Sequence, residues 1–172
     1  MAASRIVLAP GASGSIAQLS AHRSGLRARG FEVKLLALPK GTAERAMPVY
    51  QAALDDDAGG TVIGGQSFGG RVASLIAPEV QPAALVLFSY PLHAPGRREA
   101  WDDRTAHWPR ITCPVLLLSG ESDPFADLTL LRSAVPRLPR GTLLTYPRQG
   151  HSLKAVLDQA LDEVAGFIGA NT

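Results

Sequence analysis

Three residues of this chain carry side chains suited to nucleophilic catalysis. Ser67 lies in residues 65–70 (GQSFGG), which follow a short apolar run and precede a segment with helical spacing. A serine at the tip of so sharp a strand-to-helix turn is exposed, and the flanking glycines leave room for its strained backbone. Asp123 and His151 each follow a later apolar run. The pattern predicts a nucleophile elbow with two polar partners.

The chemistry assigns a role to each of these side chains. A serine hydroxyl is a weak nucleophile, so a neighbouring base must take its proton as it attacks a carbonyl carbon. His151 is the candidate base, and Asp123 is the candidate acid that orients the imidazole. Asp127 is an alternative acid, and His93 is an alternative base.

Attack on a carbonyl also creates an oxyanion, which needs positioned hydrogen-bond donors. We expect one donor to be the backbone N–H of Phe68, the residue after the nucleophile. The second should come from the glycine-bearing loop that follows the first apolar run. Ala12 is the preferred residue there, and Ser13 is the next choice.

The same loop has a second interpretation, as the phosphate-binding turn of a nicotinamide-dependent reductase. Residues 11–16 (GASGSI) stand between a predicted strand and a predicted helix, where a pyrophosphate would bind. However, residues 37–40 (ALPK) carry no acid for the ribose, and Ala17 stands in place of the third glycine. No tyrosine is followed four residues later by lysine. We therefore favour nucleophilic catalysis.

Alternating apolar runs and helical patterns must position these residues. Apolar runs predict six strands, at residues 5–9, 31–38, 61–64, 83–89, 115–119 and 142–146. Helical spacing predicts helices directly after Ser67 and over residues 15–29, 43–57, 126–135 and 152–168. Pro48 is expected to kink the second helix or delay its start. The alternation predicts one α/β domain over residues 1–172, with a doubly wound, mostly parallel sheet and helices on both faces. The reactive site of such a sheet lies at the carboxyl ends of its strands.

Composition excludes several functional classes. The chain has 172 residues, a net charge of +2 and 19% charged residues, values typical of a globular protein without affinity for nucleic acid. Cys113 is the single cysteine, so no internal disulfide is possible, and we expect its thiol to be buried. No apolar run approaches the roughly 18 residues of a membrane span. The N-terminal run is too short for a signal peptide, which favours a cytoplasmic location.

With these residues identified, the chain resembles the α/β-hydrolase superfamily, and within it the small dienelactone-hydrolase-like group and its KANSL/TEX-type branch. The resemblance spans nearly the whole chain, and residues 90–97 (YPLHAPGR) are its most branch-specific part. Its other segments are residues 11–12, 65–70, 114–118, 120–125 and 150–151. It implies an α/β-hydrolase fold without a cap domain and a triad of Ser67, His151 and Asp123. It also implies hydrolysis of esters without a metal or cofactor.

The chain departs from this family pattern at two positions. Dienelactone hydrolases have cysteine where Ser67 stands, and many relatives have histidine where this chain has Pro10. Some members of the branch are parts of protein assemblies, so a non-catalytic interaction module is one alternative function. An acyl thioesterase is a second alternative, which is chemically closer to an esterase. The expected partner is a small ester, and the protein is expected to be a monomer or homodimer.

Residues 90–110 stand where α/β-hydrolases build a lid, but this segment is too short for a helical cap domain. We therefore predict an open, shallow site bordered by Tyr90, His93 and Trp101, whereas Trp108 is expected to pack against the body. The segment also contains several arginines, which either attract an anionic substrate or form a solvated surface, the latter being favoured. They are Arg97, Arg98, Arg104 and Arg110.

Overall fold

The chain folds around a parallel β-sheet. The computed structural model describes residues 3–54 and 56–172, and within them six strands form one sheet in the order β2-β1-β3-β4-β5-β6. Every neighbouring pair is parallel. The strands are Arg5–Ala9 (β1), Glu32–Leu35 (β2), Thr61–Gln66 (β3), Ala84–Phe88 (β4), Val115–Gly120 (β5) and Gly141–Tyr146 (β6).

Helices alternate with these strands along the chain. The α-helices are Ser20–Ala28 (α1), Ala43–Ala52 (α2), Phe68–Val80 (α3), Trp101–Thr105 (α4), Leu128–Ala134 (α5) and Leu157–Asn171 (α6). Short 3-10 segments are Ile16–Leu19, Arg98–Ala100, Trp108–Arg110, Val135–Arg137 and Lys154–Val156. The segment between β4 and β5 contains only α4 and two of these short turns, so there is no separate cap domain. The predicted doubly wound sheet is confirmed.

Successive residues of each strand point to opposite faces of the sheet, so the strands contribute to two apolar cores, one on each face. One face packs against α2, α3 and α5, and its sheet residues include Val7, Ile63, Leu85 and Leu117. The other face packs against α1 and α6, and its sheet residues include Ile6, Val62, Val86 and Leu116. Burial on both faces explains why the central strands are continuous apolar runs rather than alternating ones.

Several elements differ from their predicted bounds, most clearly β2 and helix α2, which ends at Ala52 rather than at residue 57. Strand β2 covers only Glu32–Leu35, because it lies at the sheet edge and pairs with β1 alone. Helix α2 begins at Ala43, where the Thr42 hydroxyl caps it, so Pro48 lies inside the helix without delaying its start. Cys113 is buried as expected, and burial raises the pKa of its thiol to about 11.

Among the residues that the structure describes, no helix combines the length and apolar character needed to cross a membrane.

The buried side chain of Tyr50 joins helix α2 to the centre of the sheet. Its hydroxyl lies 2.8 Å from the carbonyl oxygen of Val7 and 2.7 Å from that of Gly64. It also accepts the N–H of Gly64 at 3.0 Å. One hydroxyl therefore contacts polar backbone groups of both β1 and β3, in each case two residues before the strand ends.

Removal of this hydroxyl should destabilise the protein. Tyr50→Phe leaves the Gly64 amide without this partner in a buried setting, so we expect the free energy of unfolding to fall by about 1–3 kcal/mol in a urea titration. Tyr146→Phe is the matched control, because the Tyr146 hydroxyl is buried with no hydrogen-bond partner among the described residues. An equal loss in both variants would show that the Tyr50 hydrogen bonds do not matter.

Candidate active site

Ser67 occupies a strained turn between β3 and α3. Its backbone angles are φ 50° and ψ −117°, a region that residues other than glycine rarely adopt. The N–H of Ser67 donates to the carbonyl of Phe88 at 2.9 Å, and the N–H of Arg71 donates to the carbonyl of Ser67 at 3.0 Å. The neighbouring strand and the first turn of α3 thus hold the turn in place.

Two glycines allow this turn to pack directly on the chain leaving β1. A Cβ atom on Gly65 would lie 2.3 Å from the carbonyl oxygen of Ala9, and one on Gly69 would lie 2.1 Å from the same atom. A Cβ on Gly11 would lie 3.8 Å from the Cβ of Ser67. The close packing therefore brings the glycine loop after β1 beside the Ser67 side chain.

The side chains of Ser67, His151 and Asp123 meet at the carboxyl ends of β3, β5 and β6. The Nε2 atom of His151 is 2.9 Å from the Oγ of Ser67. Its Nδ1 atom is 2.8 Å and 3.0 Å from the two carboxylate oxygens of Asp123. Because an ionised carboxylate only accepts hydrogen bonds, Nδ1 carries the proton in the neutral imidazole. Nε2 is then the acceptor for the Ser67 hydroxyl.

The loop of His151 is packed against the end of β5, from which Asp123 follows. A Cβ on Gly120 would lie 2.3 Å from the carbonyl oxygens of both Gln149 and Gly150. The N–H of Ser122 donates to the carbonyl of Gln149 at 2.9 Å. The two loops therefore form one packed unit, which holds the histidine and its carboxylate partner in register.

The carboxylate of Asp123 is fully buried, whereas the His151 side chain is 27% exposed. One Asp123 oxygen also accepts the N–H of Phe125 at 2.8 Å, which fixes the carboxylate plane. The Phe125 ring packs on the imidazole with centroids 4.5 Å apart. These contacts orient the imidazole before any substrate arrives.

A family model described as an alpha/beta hydrolase domain matches residues 42–168 of the chain, which include all three of these side chains. The chain belongs to the α/β-hydrolase family. This membership favours a hydrolase over the reductase interpretation of residues 11–16. No curated protein matches the chain in sequence.

Solved structures of several enzymes share the fold of this α/β-hydrolase. The monoacylglycerol lipase of Paleococcus ferrophilus has a TM-score of 0.84 and 14% identity, over 98% of this chain and 95% of that one. The enol-lactonase of Burkholderia xenovorans LB400 has a TM-score of 0.80 and 15% identity, over 97% and 92%. Est1E of Butyrivibrio proteoclasticus, solved with ferulic acid, has a TM-score of 0.79 and 15% identity, over 97% and 88%. At such identities the likeness shows the fold.

A cavity of about 170 Å³ opens beside Ser67 in the hydrolase. It is lined by Ala12, Ser67, Phe68, Arg71, Pro91, Ala94, Arg104 and Phe125. The two expected oxyanion donors, Ala12 and Phe68, both belong to this lining, whereas the alternative donor Ser13 does not. Phe68 is the first residue of α3, where backbone N–H groups have no acceptor within the helix.

Asp127, the alternative acid, has a structural partner set of its own. One of its carboxylate oxygens accepts the N–H of Leu130 at 3.0 Å and so caps α5. The other lies 2.8 Å from a guanidinium nitrogen of Arg98. The structure thus pairs His151 with Asp123 rather than with Asp127.

His93, the alternative base, is buried and has both ring nitrogens engaged. Its Nδ1 donates to the carbonyl of Ala94 at 2.8 Å, and its Nε2 accepts the N–H of Asp127 at 3.0 Å. Neither nitrogen is free to take a proton from Ser67. His93 does not line the cavity, contrary to the expectation that it borders the site.

Tyr90 and Trp101 were also expected at the border, and neither lines the cavity. Tyr90 is 2% exposed, and its hydroxyl donates to the carbonyl of Arg104 at 2.6 Å. Trp101 packs against the core, and the guanidinium carbon of Arg137 lies 4.4 Å from the centroid of its ring. Trp108 is fully buried, as expected, so these aromatic residues attach the segment to the body instead of contacting ligand.

The arginines of the same segment have separate surroundings. Arg97 pairs with Glu99, Arg98 pairs with Asp127, and Arg110 is exposed. Only Arg104 of the four lines the cavity.

Arg71 also lines the cavity, although the sequence analysis did not single it out. Its position was a usable signal, because a residue four places after Ser67 on a helix lies one turn away on the same face.

Bulk at the elbow should be more harmful than bulk on an exposed helix. We expect Gly69→Ala to lower the free energy of unfolding by about 1–3 kcal/mol or more, since its Cβ would meet the backbone of Ala9 and Pro10. The same change at Gly166, which has open space in α6, should raise stability by about 0.5–1 kcal/mol. Guanidinium titrations of both variants test this, and a harmless Gly69→Ala would contradict the packing described here.

Proposed function

We propose that this α/β-hydrolase is a serine esterase that cleaves small carboxylic esters through an acyl-enzyme on Ser67. The single observation that carries this proposal is the continuous hydrogen-bond path from Asp123 through His151 to the Ser67 hydroxyl. Each bond of that path has a length at which a proton can transfer or an imidazole can be held.

The first half of the reaction acylates the serine. The Ser67 oxygen attacks the ester carbonyl carbon while Nε2 of His151 takes the hydroxyl proton, and Asp123 stabilises the resulting imidazolium. The carbonyl oxygen becomes an oxyanion, for which the backbone N–H groups of Phe68 and Ala12 are the proposed donors. The positive end of the α3 dipole favours the same charge. His151 then protonates the leaving alcohol oxygen as the ester C–O bond breaks.

The second half releases the acid. Water attacks the acyl carbon while His151 takes one of its protons, and a second oxyanion forms between the same donors. As this intermediate collapses, the bond to the Ser67 oxygen breaks and His151 returns the proton to it. The cycle uses only side chains and backbone groups of the chain.

The size of the cavity supports a small substrate. Its volume of about 170 Å³ is below the roughly 300–1,000 Å³ of typical sites for drug-sized ligands. The resemblance of residues 90–97 to the dienelactone-hydrolase-like group and its KANSL/TEX-type branch agrees with a compact site of this kind, and we propose that finer placement as well.

Loss of the nucleophile should abolish turnover. Ser67→Ala is expected to reduce kcat/KM for 4-nitrophenyl acetate by about 10³-fold or more, because the acyl-enzyme can no longer form. Ser24→Ala, the same change on the exposed face of α1, should leave turnover and stability as they are. A fluorophosphonate probe should label the wild type and not Ser67→Ala. Undiminished turnover in Ser67→Ala would exclude the proposal, and an unlabelled, inactive wild type would favour an interaction module.

The two candidate acids can be separated with isosteric amides. Asp123→Asn should lower kcat by about 10⁴-fold, because an amide that donates to Nδ1 stabilises the wrong imidazole tautomer. Asp127→Asn should retain turnover, since asparagine still caps α5 and the carboxylate of Asp127 does not contact His151. Thermal unfolding of both variants checks that they fold. A large loss confined to Asp127→Asn would reverse the assignment.

A further inference from the structure

Two guanidinium groups share the wall of the cavity beside Ser67. Arg71 reaches it from the first turns of α3, and its backbone N–H already bonds the Ser67 carbonyl. Arg104 reaches it from α4, on the segment between β4 and β5. Two elements far apart in sequence therefore bring two positive charges to one small site.

Neither charge is balanced within the part of the chain that the structure describes. No ion pair there involves Arg71, and its Nε atom is buried without a hydrogen-bond partner among the same residues. Arg104 donates to the carbonyl of Pro91 at 2.8 Å, an uncharged acceptor. Burial, and next the charge of Arg71, lower the pKa of Arg104. The two guanidinium groups therefore repel each other at a site that is partly shielded from solvent.

Four other arginines each have a carboxylate within ion-pair distance, namely Arg29, Arg97, Arg98 and Arg137. Arg110, Arg132 and Arg140 have no ion pair among the described residues, but they are exposed, so water solvates their charge. Burying a positive charge without a counter-ion is costly, and the cost is offset when an anion binds. An anion that binds beside Arg71 and Arg104 would therefore offset the free-energy cost of burying their charges.

The buried side chains next to Arg71 supply no anion. Burial raises the pKa of the Tyr90 phenol, so it is neutral at physiological pH. Burial, with Arg71 and Arg110 contributing, lowers the pKa of His107 to about 4, so this ring adds no further positive charge. The Nε2 of His107 is 2.8 Å from the hydroxyl of Ser74, which in turn donates to the Arg71 carbonyl.

We infer that Arg71 and Arg104 bind a carboxylate group of the substrate while Ser67 attacks its ester carbonyl. The inference rests on the esterase function proposed above and adds the substrate class, small esters that carry a carboxylate. A planar guanidinium matches a carboxylate in shape and charge.

Paired substrates test the inference on the wild-type enzyme. The acyl-side pair is 4-nitrophenyl hydrogen adipate and its methyl ester, which differ in one negative charge. The alcohol-side pair is 4-acetoxybenzoate and methyl 4-acetoxybenzoate. We expect kcat/KM to favour the anionic member of at least one pair by about tenfold or more, mainly through KM. The side on which the preference occurs identifies the half of the substrate that the arginines contact.

Variants connect the preference to the two arginines. Arg71→Gln and Arg104→Gln should each bring the anionic-to-neutral ratio of kcat/KM close to one, whereas Arg71→Lys should retain part of it because the charge remains. Arg132→Gln removes one exposed positive charge of α5, outside the cavity lining, and should leave the ratio unchanged. Near-equal loss of the ratio in Arg132→Gln would assign the preference to overall charge and overturn the subsite.

The outcomes separate this inference from the proposed function. If Ser67 supports turnover of the neutral esters and the wild type prefers neither anionic member, the subsite is wrong and the esterase stands. If Ser67→Ala retains turnover, the esterase itself is wrong. Should a glutamine variant fail to fold, competitive inhibition of the wild type by free adipate and benzoate, measured against the matching amides, replaces it. Equal inhibition by acid and amide would again overturn the subsite.

Discussion

The close contact between the elbow and the backbone leaving β1 is the constraint on which the site depends. Gly65 and Gly69 lie so near the carbonyl of Ala9 that neither tolerates a Cβ. This contact holds Ser67 at a positive φ and brings the loop with Ala12 beside it. This one packing interaction thus sets both the direction of the Ser67 side chain and the position of Ala12, a proposed oxyanion donor, independently of the hydrogen bonds to His151.

Packing between loops and hydrogen bonds then place His151 and Asp123 beside Ser67. Strands β5 and β6 end side by side, and the backbone at Gly120 touches the loop that carries His151. Asp123 is buried, so its attraction to the imidazole is not weakened by solvent. The imidazole is more exposed and can meet a substrate. The parallel sheet therefore arranges three distant residues, because the carboxyl ends of its strands share one edge.

The segment between β4 and β5 shows how polar side chains divide between structure and ligand. Tyr90 and His93 use their polar atoms to fasten backbone within and beside the segment. Arg104 lines the cavity and forms no ion pair among the described residues. Arg71 lines the same cavity from α3. Because buried polar groups normally have partners, the groups that lack them are the informative ones. Among the described residues, the Nε atom of Arg71 is the one such group that carries a positive charge, and Arg71 lines the same cavity as Ser67.

Strand alternation, glycine spacing and residue order are local signals, and they were sufficient to predict a six-stranded, mostly parallel sheet and to select Ser67, Asp123 and His151 as partners. The sequence analysis misplaced Tyr90, His93 and Trp101, and it passed over Arg71. The set of side chains that line the cavity depends on contacts between distant parts of the chain, so it could be identified only from the folded structure. A tyrosine at a strand end can face solvent, ligand or core with the same local sequence, and its burial against Trp108 exists only once the segment has folded back.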